Sequence, residues 1–185
     1  MFGIAFIWLP TLVAAVAVFI VSSIVHMVIR WHQNDEARIP NEDAVAEALR
    51  GLPPGEYRFP WAANMEGMKS PAFIEKAQRG PMGRVGIFGG DWKTGFQKAL
   101  IQWFAYSLVV SFVAGHVAYG ALGRQTDGHD IFHAVALTAF AAYGLGVVPQ
   151  SIWGPRKWGA TLRSLLDGVL YAVTTAGVFV WLWPA

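Results

Sequence analysis

The chain contains no cysteine. That excludes disulfides, thiolate metal sites, thiol nucleophiles and cysteine-held iron–sulfur clusters. Charge is scarce as well. Only 14% of residues are Asp, Glu, Lys or Arg, against about 25% in an average soluble domain. A disordered chain, an ordinary cytosolic globule and a nucleic-acid binder all need more charge than this. Three other signatures are missing: a metalloprotease helix H-E-x-x-H, a buried pair of carboxylates, and a nucleophile beside a histidine and a carboxylate in one segment.

What the chain does have is apolar length. Hydrophobic residues make up 55% of its 185 positions and the mean hydropathy is +0.40. No charged residue occurs from Gly3 to Ile29, from Ala99 to Gly123, or from Ile131 to Pro155. From Thr161 onward the run is interrupted only by Arg163 and Asp167. About 20 apolar residues in a helix cross a hydrocarbon core of about 30 Å. Backbone amides in lipid need internal partners, so these runs are expected to be helices. The fold expected is an all-α integral membrane protein: a four-transmembrane-helix bundle with a small mixed α/β cytoplasmic insert between helices 1 and 2. Helix 1 is placed at 1–30, the insert at 31–97, and helices 2–4 within 98–185, at about 98–122, 130–153 and 160–183. The first run lacks a basic leader and is longer than a signal-peptide core, so it reads as a retained span.

Orientation follows from Lys and Arg. Of the fourteen, only Arg124 falls on the second side of a four-span arrangement. The positive-inside rule then puts loops 31–97 and 154–160 in the cytoplasm and both ends of the chain outside a multi-pass inner membrane. Trp31, Trp92, Trp103, Trp153 and Trp158 fall near the inner interface, with Trp8, Tyr119, Trp181 and Trp183 near the outer one, as an aromatic belt requires. Small residues recur every four positions: Ser107, Ser111 and Gly115 in helix 2, Ala134, Thr138, Ala142 and Gly146 in helix 3, and Gly168, Ala172 and Ala176 in helix 4. Helix 1 offers Ala14 and Ser22 around the bulkier Val18. These stripes predict close packing, tightest among helices 2, 3 and 4.

The insert is punctuated. Asn41 is expected to cap a helix through Arg50, stopped by Gly51 before Pro53 and Pro54. Ser70–Pro71 opens a second helix that ends at Gly80–Pro81. Glu56–Trp61 and Arg84–Phe88 read as extended and can pair. The insert's acidic residues nearly balance its basic ones, so it offers no one-sided footprint for nucleic acid. Its glycine run (Gly80, Gly83, Gly86, Gly89, Gly90) matches neither phosphate-loop nor dinucleotide spacing.

Two groups of ionisable residues are candidates for chemistry. On the outer side, His129 and His133 are one turn apart, and His116 lies at a comparable depth in the preceding span. Three imidazoles near Asp127 or Asp130 suit zinc, copper or another divalent metal, or haem iron. Asp127 and Asp130 equally suit a helix N-terminus. On the inner side, His26, Arg163 and Asp167 suggest an intramembrane polar network, with Asp167 paired to Arg163 one turn away or to His26. Three functions follow as expectations. The first is a non-catalytic accessory or assembly component of a larger inner-membrane complex, contacting lipid and other membrane subunits or copies of itself, and no nucleic acid. The second is a metal- or haem-binding protein using His116, His129 and His133. The third is a proton-linked small carrier centred on Asp167 and His26.

Overall fold

The structure, a computed structural model, describes residues 4–183, with side chains from residue 6. It is 70% helical, with one small two-stranded sheet. Four helical segments are long and apolar enough to cross a membrane: Phe6–Ile29, Trp92–Leu122, Gly128–Ile152 and Trp158–Leu182. The chain divides into two compact units, Arg38–Gly95 and the remainder.

In the helical unit, α1 (Ile4–Ser23) carries Pro10 inside it and continues as a π-helix, Ile24–Ile29. Arg30 closes that turn in the left-handed region at φ 56°, its amide donating to the Val25 carbonyl. The long helix α5 (Trp92–Leu122) follows the insert. α6 (Gly128–Tyr143) starts at Asp127, whose side chain accepts from the Asp130 amide as a cap. It gives way to a 3-10 turn, Leu145–Val147, and then α7 (Val148–Ile152), which holds Pro149 in its first turn. There the missing proline donor breaks no helical bond. α8 (Trp158–Leu182) completes the set.

Backbones come closest between α6 and α8 and between α1 and α8, which makes α8 the central helix. Close packing among helices 2, 3 and 4 therefore holds for the last pair, while α1 takes the place expected for helix 2. α5 meets its neighbours through large rings instead: Phe104 edge-on to Phe19 at 5.8 Å, and Trp103 against Tyr143 and Tyr171 at 6.0 and 5.8 Å. The bulk of Trp103 and Phe104 sets that spacing. Ser107, Ser111, Gly115, Gly168, Ala172 and Ala176 are buried as the stripes required. In α6 the buried stripe is Ile131, Val135 and Ala139, one residue on from Ala134, Thr138 and Ala142. One residue is about 100° of helix rotation, so the apolar face is turned away from the small-residue face. The glycine that admits α8 is Gly144 rather than Gly146: a Cβ built on Gly168 would lie 2.7 Å from Gly144 Cα. Phe179, fully buried, occupies the space that Gly115 leaves, 2.3 Å from where a Cβ would stand.

The insert holds α2 (Glu42–Leu49), β1 (Gly55–Phe59), α3 (Met65–Met68), α4 (Pro71–Arg79) and β2 (Gly83–Ile87). The strands pair antiparallel with Gly55 opposite Ile87 and Phe59 opposite Gly83. Gly83 is needed there, since a Cβ would meet the Phe59 ring at 2.7 Å. Ser70 caps α4 by accepting from the Phe73 amide, as its position before a proline foretold. Asn41 does not cap α2. It sits at φ 54° and its side chain bonds no helix amide.

Candidate functional site

The local geometry that builds the site begins at the end of α1. The π-turn carries His26, whose Nδ1 lies 3.0 Å from the Ser22 carbonyl. That carbonyl is an acceptor only, so Nδ1 bears a proton and donates it there. Arg30's left-handed conformation then turns the chain, and residues 31–36 fold as turns and bends beside α8. This return brings Trp31, His32 and Asp35 to Asp167, which is buried within α8 at 5% exposure.

The contacts form a chain of charge-assisted bonds. His32 Nε2 lies 2.7 Å from Asp167 Oδ2, and His32 Nδ1 lies 2.7 Å from Asp35 Oδ2. A carboxylate oxygen thus faces each ring nitrogen, and any proton the ring carries is donated to one of them. The second oxygen of Asp167 accepts from Trp31 Nε1 at 3.1 Å. The second oxygen of Asp35 accepts from Arg163, from Nε at 2.7 Å and also from Nη2. His26 stacks on His32 with centroids 4.9 Å apart and planes 11° from parallel. Desolvation alone would push the Asp35 carboxyl up, but the hydrogen bonds and charges of His32 and Arg163 outweigh it and hold the carboxyl below its usual range. The two carboxylates, the guanidinium and the imidazole thus satisfy one another. Asp167 is the buried member, so removing His32 would leave a buried carboxylate with Trp31 as its remaining partner, the costly case.

Asp167 and His26 also line a cavity of about 520 Å³. Its lining is apolar at Met27, Phe96, Leu100 and Trp103 and polar at Ser22, His26, Ser164 and Asp167. Trp103 Nε1 donates to Ser22 Oγ at 2.9 Å, fixing one wall to α1. Arg156 Nη2 donates to Ser164 Oγ at 2.7 Å, tying that residue to the α7–α8 connection.

The residues singled out from sequence are distributed as follows. His26 and Asp167 come together, but Asp167's bonded partners are His32 and Trp31, and Arg163 serves Asp35 instead. On the other side, His129 and His133 face each other, with Nε2 atoms 3.1 Å apart. His129 Nδ1 is 3.5 Å from Asp130. His116 is not brought to them. It stacks on Phe112, one turn earlier in its own helix, and is exposed. The ionisable atoms of Asp127, His129 and Asp130 do gather within 4.8 Å, but all three residues are exposed. Sequence reasoning gave no role to His32 or Asp35 and read Trp31 as an interface anchor. The available signal was W-H-x-x-D immediately after an apolar span, with a lone aspartate inside a later one.

The chain matches no protein-family profile, no curated protein and no solved structure.

Proposed function

We propose that this protein is a non-catalytic, multi-pass component of a larger inner-membrane assembly, and that it holds a small amphiphilic ligand at the cytoplasmic ends of its helices. The observation that carries the reading is the cavity. Ligand sites are concave, of about 300–1,000 Å³, mostly apolar, with a few converging polar groups. A cavity of about 520 Å³ with a largely apolar lining and the polar Ser22, His26, Ser164 and Asp167 fits that description. The charge network beside it keeps Asp167 in place, so that polar group is organised before a ligand arrives. Sidedness rests on the basic residues. All but Arg124 of the fourteen lie on the side assigned to loops 31–97 and 154–160, which supports a reading with the cavity toward the cytoplasm and both chain ends outside.

Native mass spectrometry of the protein extracted in mild detergent tests this. The wild type should carry a partner subunit and a small-molecule adduct. Ala99→Trp, which fills the cavity wall, should lose the adduct and keep the partner. A protein that runs alone and bare at every expression level overturns the reading. A tag on the C-terminal end should be cleaved by protease added to intact cells; protection reverses the sidedness.

A further inference from the structure

We propose that His26, His32 and Asp167 form a binding site for a divalent ion of the zinc class, with Asp35 and Trp31 as the groups that orient the ligands. The proposal goes beyond the ligand-holding reading and does not depend on it. One ring nitrogen from each histidine and one carboxylate oxygen of Asp167 all lie within 4.8 Å of one another. Ligand atoms about 2.0–2.2 Å from a tetrahedral zinc stand about 3.3–3.6 Å apart. The His32–Asp167 separation of 2.7 Å therefore has to widen by about 0.6–0.9 Å. His26, exposed and bonded only through Nδ1, has to swing inward.

The surroundings of the three ligands are those a metal centre uses. A ligating imidazole normally donates its other N–H to a carboxylate or a backbone carbonyl, which fixes the tautomer and raises ligand basicity. Both histidines have that support. His32 Nδ1 faces Asp35 Oδ2 at 2.7 Å, and His26 Nδ1 faces the Ser22 carbonyl at 3.0 Å. His26 therefore has its Nε2 available for an ion, and His32 Nε2, which faces Asp167 Oδ2 at 2.7 Å, becomes available when the ion takes the place of the proton between them. Asp167 Oδ1 is held by Trp31, and Oδ2, which now faces His32 Nε2, is the oxygen that would meet the ion. Asp35 is itself clamped by Arg163, so the support extends one layer further. Two imidazoles and one carboxylate leave a coordination position open. His26 and Asp167 both border the cavity, so that position faces a space where water or a ligand group can enter. Imidazole and carboxylate together favour a borderline ion such as zinc over calcium or magnesium, which take oxygen ligands.

The test uses the full-length protein in detergent, stripped with a chelator and titrated with zinc chloride. The outer pair is first removed as His129→Ala/His133→Ala, so that it contributes nothing. That parent should bind a single zinc, and cobalt in its place should show the visible absorption of a low-symmetry site. His32→Ala and Asp167→Asn should lose binding. Asp35→Asn should weaken it by about ten- to a hundred-fold, as loss of a supporting carboxylate does. Because the buried variants can misfold, His26→Gln is the decisive one. His26 is exposed and makes one hydrogen bond, so the variant should remain monodisperse while binding falls by at least about ten-fold. Absence of stoichiometric zinc in the parent overturns the proposal, as does full affinity in a folded His26→Gln protein.

Discussion

Gly168→Ala is the substitution that most directly probes how α8 is seated. A Cβ at Gly168 would stand 2.7 Å from Gly144 Cα, 3.0 Å from Gly144 N and 3.4 Å from the Tyr143 carbonyl carbon. These are backbone atoms, so no rotamer change can move them aside. Restoring an ordinary contact of 3.4 Å requires 3.4 − 2.7 = 0.7 Å of separation between the two helices. A gap of that size forfeits about a quarter to a half of each dispersion contact along the seam. In lipid there is no hydrophobic transfer term to compensate, because acyl chains are as apolar as the residues released to them. Overpacking costs about 1–3 kcal/mol, and a clash with backbone puts this case at about 2 kcal/mol. The control is Gly177→Ala in the same helix, where a Cβ meets nothing within 4 Å. Relief of glycine's helix penalty should leave that variant unchanged or more stable by up to ~1 kcal/mol. Unfolding in mixed micelles, followed by circular dichroism, measures both. If Gly168→Ala unfolds at the same denaturant fraction as Gly177→Ala, the α6–α8 approach described above is wrong.

Three further outcomes are expected. Trp103→Phe removes the indole bond to Ser22 Oγ while keeping the ring, and should destabilise by about 1 kcal/mol; an unchanged melting midpoint would deny that bond any net contribution. Ser70→Ala removes the cap of α4, and amide exchange across Pro71–Arg79 should quicken by the equivalent of about 1 kcal/mol, with unaltered protection counting against the cap. Asp91 accepts from the Thr94 amide at 3.0 Å, which holds its carboxyl below the ordinary value of 3.8. The folded value lies below the unfolded one, so this bond's contribution is complete above about pH 3.8 and is lost as pH falls through the lowered value. Exchange at Trp92–Gly95, corrected for intrinsic rate, should accelerate in acid for the wild type and not for Asp91→Ala.

The two histidine groups show where legibility stopped. His129 and His133 were readable as a pair because a four-residue spacing on a helix fixes their proximity. Joining His116 to them required the rotation of α5 about its axis, and depth along the helix says nothing of rotation. Asp167 stood out because an aspartate inside an apolar run is costly and calls for a partner. Its nearest cation in sequence, Arg163, was the natural candidate, yet Arg163 bonds Asp35 and His32 takes Asp167. That exchange depends on the turn at Arg30, whose left-handed conformation no residue preference announces.

By itself the sequence determined the four long apolar helices, the capped helix from Pro71, and two extended segments able to pair, read at Glu56–Trp61 and Arg84–Phe88 and found at Gly55–Phe59 and Gly83–Ile87. Each of these follows from chain-local physics: the solubility of a neutral helix in hydrocarbon, the demand of an orphan amide for an acceptor, and the alternation of a strand between turn residues. Tertiary structure alone decided that α8 lies at the centre, that Gly144 faces Gly168, and that Trp31, His32 and Asp35 close on Asp167. Those arrangements join groups up to 136 residues apart. They are selected by which surfaces fit at close range and by which buried charges find a counter-charge, and neither quantity exists until the helices have met.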